Sequence, residues 1–249
     1  MNVWKAELIK LRRASAWVVV LVVPVLAVVM GTANFILNAG VLTQSWASLW
    51  EQITLFYGLF FLSLGVATLC SALWRVEHRG VWPRLMAGPA RASSIVTAKL
   101  GAGFLLVAAM QVLLVLGTWL AGSLATDLDP WALPWSIWGS AVVTLMAATA
   151  VVALQSLLSM VWKSFTAPVA VCFLGVVAGI GAFYGDIAGL KTVIPQALLA
   201  RAATLGSVTV GDSGALNLSE TLPIILPSLV LTGLCIALST AVLQRRDVA

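Results

Sequence analysis

Residues 17–37, WVVVLVVPVLAVVMGTANFIL, form an apolar run without a single charged side chain. A helix needs about 20 such residues to cross roughly 30 Å of hydrocarbon. The rest of the chain has the same character, since 61% of its 249 residues are hydrophobic and only 9% are charged. A soluble domain carries roughly 25% charged residues. The run therefore predicts a transmembrane helix, and the composition predicts an integral membrane protein.

The same length criterion predicts an all-α, polytopic membrane protein with six spans in a single domain, residues 1–249. The predicted spans are 17–37, 52–74, 100–125, 136–162, 167–186 and 221–243. Trp46 and Trp50 then fall in an outer loop, at the depth of an interfacial aromatic belt. The apolar stretch 187–205 is interrupted by Lys191, Pro195 and Arg201. It predicts an outer re-entrant or interfacial segment before the last helix rather than a seventh crossing.

The distribution of Lys and Arg sets the orientation. With the N-terminus inside, every Lys and Arg except Lys191 and Arg201 falls in a cytoplasmic segment. This bias predicts that both termini are cytoplasmic, the second one being a short tail at residues 244–249. The net charge of +5 is explained by a basic rim that faces anionic lipid, so it does not indicate a nucleic-acid partner.

The segment before the first span, residues 1–16, predicts a short helix on the membrane surface. Trp4, Leu8 and Leu11 recur at helical spacing on one face, while cations occupy the remainder. Those cations include Arg12 and Arg13. The alternative interpretation is a basic flank that only obeys the positive-inside rule.

The longest cytoplasmic loop, residues 75–99, mixes apolar bulk with charge. Trp82, Leu85 and Met86 have the spacing that places side chains on one side of a short helix. Such an exposed apolar cluster favours docking of a cytoplasmic partner. The alternative is an ordinary basic loop that lies on lipid.

The fifth span contains glycines four residues apart. Gly175 and Gly179 form one such pair, and Gly181 and Gly185 form another. This spacing places small residues on one face of a helix and allows a second backbone to approach closely. The spacing leaves open whether that backbone belongs to the same chain or to a second subunit.

The chain lacks the motifs of the common catalytic sites. It contains no GxxxxGK[ST] loop for nucleotide phosphates, and its single histidine, His78, excludes an HExxH zinc site. An intramembrane aspartyl protease would need a second carboxylate beside Asp186, and no other acid lies within a predicted span. The sequence therefore predicts no catalytic residue, no metal site and no enzyme activity of its own.

The chain resembles the six-span permease subunits of ABC-2-type bacterial exporters, most closely their lantibiotic and bacitracin immunity branch. Residues 7–13, ELIKLRR, followed by Trp17, are similar to the N-terminal elbow helix of that family. The block from Trp46 through Phe56, Tyr57 and Phe60 is similar to its second helix. A third similarity is to the first inner loop of the family, which forms a coupling helix against the ATPase. It rests on Glu77, Gly80, Trp82, Leu85, Pro89, Arg91 and Lys99.

The resemblance implies ATP-driven export across the bacterial plasma membrane, by alternating access, of an amphipathic antimicrobial peptide or drug-like compound. It implies a separate cytoplasmic ATPase that binds ATP and Mg, with no cofactor in this chain, and a second, identical or paralogous permease subunit. The implied coupling residues are Glu77, Arg79, Gly80, Trp82, Pro83, Arg84, Leu85, Pro89 and Arg91, with Lys163 and Ser164 in a second inner turn.

The resemblance also makes the glycine face of the fifth span, with spans one and two, a candidate wall of the transport path or a dimer seam. A function of another class remains open, namely a non-transporting membrane scaffold that recruits a cytoplasmic partner through the same loop. An ATPase reading frame beside the gene would favour export over the scaffold.

Overall fold

The computed structural model describes residues 3–12, 15–78, 91–187, 189–205 and 217–246. Within these ranges it contains helices and no strand, and six helical segments are long and apolar enough to cross a membrane. The α-helices are α1 (Val3–Leu11), α2 (Ala16–Leu37), α3 (Trp46–Phe56), α4 (Leu62–Val76), α5 (Ala92–Ala125), α6 (Trp135–Val161), α7 (Thr166–Tyr184), α8 (Leu190–Val193), α9 (Pro195–Ala203) and α10 (Leu218–Arg246). The predicted all-α fold with six spans is confirmed.

The second span begins six residues earlier than predicted. A π-helical segment, Tyr57–Phe61, joins α3 to α4, so that Trp46–Val76 is one continuous helical span. The hydroxyl of Ser45 accepts a hydrogen bond from the Ser48 amide at 3.2 Å and starts the helix as an N-cap. Hydropathy alone does not detect this cap, because it reports apolar content and not the hydrogen bond that starts the helix.

The sequence predicted that Trp46 and Trp50 lie in an outer loop, and this prediction is wrong because both belong to α3. Both are buried inside the bundle, at 5% and 1% exposure. The Trp46 ring lies directly over Gly122 of α5, where any side chain would collide with it, and its indole N–H donates to the Asp129 carbonyl at 3.0 Å. The indoles thus fill the core between helices instead of anchoring an interface.

The third span also begins earlier, at Ala92 rather than residue 100, and comprises 34 residues. At 1.5 Å per residue it is about 51 Å long, well beyond the roughly 30 Å hydrocarbon core. The helix is therefore longer than a crossing requires. Lys99, predicted to lie in a loop, is a buried residue of this extension.

Helix α1 and the last turns of α10 meet at one end of the bundle, which we call the terminal face. There Trp74, Ala92, Met160 and Leu243 form one buried apolar cluster, against which Val3 packs. The cluster joins the ends of four spans to α1.

The segment before the last span enters the bundle at the opposite end. Its main helix, α9, has nine residues and is about 14 Å long, which is too short to span. Ala197, Leu198 and Leu199 are completely buried, and α9 contacts α6, α7, α10 and the π-helical segment. As predicted, this segment does not form a seventh crossing.

The glycines of α7 do not all face the same neighbour. A side chain at Gly179 would lie 2.9 Å from the Ala197 backbone nitrogen of α9, and one at Gly175 would lie 2.7 Å from the Gln196 amide. Gly181 has open space around it, and Gly185 ends the helix. The close neighbour of Gly175 and Gly179 is therefore a helix of the same chain.

Candidate functional site

Four charged side chains from three separate segments form one cluster at the terminal face. Glu7 and Lys10 belong to α1, Glu77 directly follows α4, and Lys99 lies in α5. Lys10 Nζ lies 2.8 Å from Glu7 Oε1 and 2.7 Å from Glu77 Oε1. Lys99 Nζ lies 2.8 Å from Glu7 Oε2 and 2.7 Å from Glu77 Oε1. Each lysine thus bridges both carboxylates, and the cluster is neutral.

The cluster is removed from solvent. The side chain of Glu77 has no exposed surface, and those of Lys99 and Glu7 are only 2% and 4% exposed. Lys10, at 32%, closes the side that faces outward. Buried charges persist only when they are paired, so each member depends on the others.

The arrangement keeps Glu77 and Lys10 ionised at neutral pH. Burial alone would raise the pKa of the Glu77 carboxyl, but the charge of Lys99 and hydrogen bonds from Lys10 and Lys99 hold it below its ordinary value. Burial alone would lower the pKa of the Lys10 ammonium, but its hydrogen bonds to Glu7 and Glu77 raise it above its ordinary value.

Further contacts anchor the cluster to the spans. Lys99 Nζ also donates to the Leu73 carbonyl at 3.1 Å and lies 5.7 Å from the centre of the Trp74 ring. The Trp74 indole N–H donates to the Ser156 hydroxyl of α6 at 2.7 Å. His78 Nε2 donates to the Ser159 carbonyl of α6 at 2.9 Å. The end of α4 is thereby fixed to α6 as well as to α5.

Two members of the cluster flank the predicted inner loop in the sequence. Glu77 precedes residues 79–90, and Lys99 follows them. Arg91, the next described residue after Glu77 and His78, is exposed and directly precedes α5. The other predicted coupling residues, Arg79, Gly80, Trp82, Pro83, Arg84, Leu85 and Pro89, lie outside the described residues. Glu77 is described, and its carboxylate faces α1 and α5 from a buried position.

Helix α1 is held against α5 by more than its charges. Trp4 and Leu8 are 40% and 46% exposed, as in a helix on a membrane surface, whereas Leu11 is buried. The Trp4 ring covers Gly101, where a Cβ atom would lie 2.7 Å from Trp4 Cζ2. Of the two predicted cations, Arg12 is exposed and Arg13 lies outside the described residues.

A family model of the ABC-2 family transporter protein matches residues 3–179, from the start of α1 into α7. The match covers more than two thirds of the chain. The chain belongs to the ABC-2 transporter family. It is therefore the membrane permease component of an ABC transporter. Comparisons with curated proteins and with solved structures gave no match.

The turn that was predicted as the second inner one separates α6 from α7 of this ABC-2 permease. Lys163 and Ser164 are both exposed there. The Ser164 hydroxyl accepts a hydrogen bond from the Ala167 amide at 3.3 Å and so caps the first turn of α7. Their predicted role in coupling stays a prediction.

An apolar groove of about 560 Å³ runs between α4 and α7 of the permease. It is lined by Leu64, Phe165, Thr166, Val169, Ala170, Phe173 and Leu174. Because α9 covers Gly175 and Gly179, the open surface of α7 is this groove face rather than the glycine face. The groove lies on spans two and five.

One buried part of the site was not predicted, namely Glu7. By its spacing from Trp4, Leu8 and Leu11 it lies close to the apolar side of α1, where it weakens the amphipathic pattern. The structure shows that it is 3% exposed and joins α1 to α5. An acid on the apolar face of a short basic helix was the signal for a buried partner.

Proposed function

We propose that this ABC-2 permease is the membrane subunit of an ATP-driven exporter and that its buried charge cluster transmits force from the inner loop to the spans. The observation that carries the proposal is that Glu77 and Lys99, on either side of residues 79–90, share one set of ion pairs with α1. Separating them would leave buried charges without partners, at a cost of several kcal/mol. A push on the loop would therefore move α1, α4 and α5 together.

The terminal face is the cytoplasmic face in this proposal, and the membrane is the bacterial plasma membrane. The positive-inside rule supports this orientation, because almost all Lys and Arg residues belong to segments at that end. A cytoplasmic ATPase subunit binds there, and ATP and Mg bind to that partner. The permease itself contributes no cofactor and no nucleotide site.

Transport by alternating access would use the groove between α4 and α7. Its lining is almost wholly apolar, which suits an amphipathic antimicrobial peptide or a drug-like compound. The resemblance to the lantibiotic and bacitracin immunity branch would then connect the protein with antibiotic resistance and lantibiotic immunity. Large apolar side chains of α2, such as Leu21, Val25 and Val29, are also exposed. A second permease subunit, identical or paralogous, would face this surface and complete the path.

The proposal is tested by affinity purification of the tagged full-length permease from its own host, with identification of the co-eluting chains. We expect an ABC ATPase among them. Trp82→Ala and Arg84→Glu should then reduce its co-elution or uncouple its ATP hydrolysis from transport, because the loop loses apolar contact area or charge complementarity. Glu77→Lys should have the same effect, and its thermal stability is measured in parallel because that residue is buried.

The matched controls lie on the opposite side of the membrane. Trp131→Ala removes an indole that is 94% exposed in the 3₁₀ turn Pro130–Ala132, and Lys191→Glu reverses an outer charge. Both should leave ATPase pairing unchanged. If all three inner-loop variants pair and transport normally, the loop is not the docking site. Co-elution of a cytoplasmic partner without ATPase activity would favour the scaffold function instead.

A further inference from the structure

We propose that the terminal face binds the phosphate of one anionic phospholipid in a pocket between α1, α2 and α4. This goes beyond the proposed export function and does not depend on it. Two adjoining cavities, of about 320 and 220 Å³, make up the pocket. They share Ser15, Ala16, Ala72 and Val76, so they form one continuous space.

The charge of the pocket favours a monoanion. Arg75 lines the larger cavity, which has no acidic residue in its lining. The smaller cavity is lined by Glu7, Lys10 and Lys99. Glu77, which is not part of the lining, pairs with Lys99 and balances the second lysine charge. The surplus is one positive charge, which a phosphodiester would balance.

Hydrogen-bond donors remain available at the same place. Lys99 donates to Glu77 and to the Leu73 carbonyl, and its charge is also paired with Glu7. Lys10 uses two of its three donors, and its ammonium is partly exposed. Arg75 stacks over Phe165 at 5.6 Å and makes no hydrogen bond or ion pair with any other described residue. Its guanidinium is therefore free to bind phosphate oxygens in a bidentate manner.

The start of α2 adds to the positive field of the pocket. Ser15, the N-cap residue, lines both cavities and makes no side-chain capping bond. The positive end of the helix dipole at this position favours an anion. The helix dipole adds to the attraction that Arg75 exerts on the anion and does not substitute for it.

The pocket continues into an apolar groove, which identifies the anion as part of a lipid. A third cavity, of about 260 Å³, shares Val19 and Thr68 with the larger one. It runs along the surface between α2 and α4 and is lined by Val18, Val22, Val23, Phe61, Leu64 and Gly65 as well. A polar compartment that opens into an apolar groove matches a headgroup with its acyl chain, whereas a free phosphate would leave the groove empty.

Native mass spectrometry of the purified full-length permease in detergent tests this inference. The probes are a short-chain phosphatidylglycerol, the matching phosphatidylcholine and inorganic phosphate. We expect one tightly retained phosphatidylglycerol per chain. Arg75→Gln should weaken it about tenfold or more, because a charge-assisted hydrogen bond is lost. Arg245→Gln, which removes an exposed cation from the end of α10, should leave binding unchanged.

A second variant tests the acyl groove. Val22 is 41% exposed, so Val22→Trp should fill the groove without disturbing the core and should also weaken binding of phosphatidylglycerol. Equal retention of phosphatidylglycerol and phosphatidylcholine, or full retention by both variants, would overturn the proposal in favour of unspecific annular lipid. Inorganic phosphate that binds as tightly as phosphatidylglycerol would overturn it in favour of a free-anion site.

Discussion

Glu77→Gln should destabilise the permease by about 3 kcal/mol, the lower end of the range for breaking a buried ion pair. The substitution leaves Lys99 almost completely buried, with Glu7 as the only carboxylate for two lysines. Part of the loss is recovered because Glu7 still neutralises one positive charge. Thermal unfolding in detergent, followed by tryptophan fluorescence, measures the effect. Lys163→Met, which removes an exposed charge, should change stability by no more than about 0.5 kcal/mol.

The double variant Glu77→Gln/Lys99→Met distinguishes a charge network from a simple packing contact. Lys99→Met alone leaves two carboxylates facing Lys10, and so it should also destabilise. The two changes together leave the neutral pair of Glu7 and Lys10 at 2.8 Å. The double variant should therefore be more stable than the sum of the single losses predicts. Strictly additive losses would show that the four charges do not act as a unit.

The same cluster contributes to the pH dependence of stability through Glu77 and Lys10. The folded-state pKa of Glu77 lies below its ordinary 4.5, so its contribution is present above that value and is lost as the pH falls through the folded pKa. The folded-state pKa of Lys10 lies above its ordinary 10.5, so its contribution is present below that value and is lost only as the pH rises through the folded pKa. Stability from these two groups is thus constant at neutral pH. Glu77→Gln should flatten the acid limb of the stability curve.

The sequence predicted the number of spans because hydropathy reports on length and composition, which is all that a crossing requires. It placed the starts of spans two and three too late. Span two begins at the Ser45 cap and the buried Trp46, and span three begins with a polar turn that leads to the buried Lys99. The burial of Trp46 and Lys99 depends on how the helices pack, and an average over apolar residues detects neither this packing nor the cap.

The candidate site was predictable in part for a similar reason. Glu77 and Lys99 were recognised as members of the inner-loop pattern, but their pairing with Glu7 joins residues far apart in the chain. The glycine spacing of α7 predicted the close approach of a second backbone. Only the structure identifies that backbone as α9. Local spacing can thus indicate that a face is in contact, while its partner depends on the tertiary arrangement.

Gly31→Ala in α2 should also strongly reduce stability, because the backbones of α2 and α3 approach closely at this position. A Cβ atom there would lie 2.6 Å from the backbone nitrogen of Ile53 in α3 and closer still to its Cα. Backbone atoms cannot rotate away, so α2 and α3 would have to separate by on the order of 1 Å to restore van der Waals distance. The Asn34–Gln52 hydrogen bond of 2.5 Å, which joins the same two helices, would lengthen with them.

Such overpacking should cost about 1–3 kcal/mol or more in unfolding free energy. Gly233→Ala in α10 is the matched control, because nothing lies within 4 Å of the added methyl group. Alanine is the better helix former by about 1 kcal/mol, so this control should be neutral or stabilising. Of the two identical substitutions, only Gly31→Ala should therefore lower the thermal unfolding midpoint. A Gly31→Ala protein as stable as the Gly233→Ala protein would mean that α2 and α3 are not in backbone contact. The packing of the first two spans described above would then be wrong.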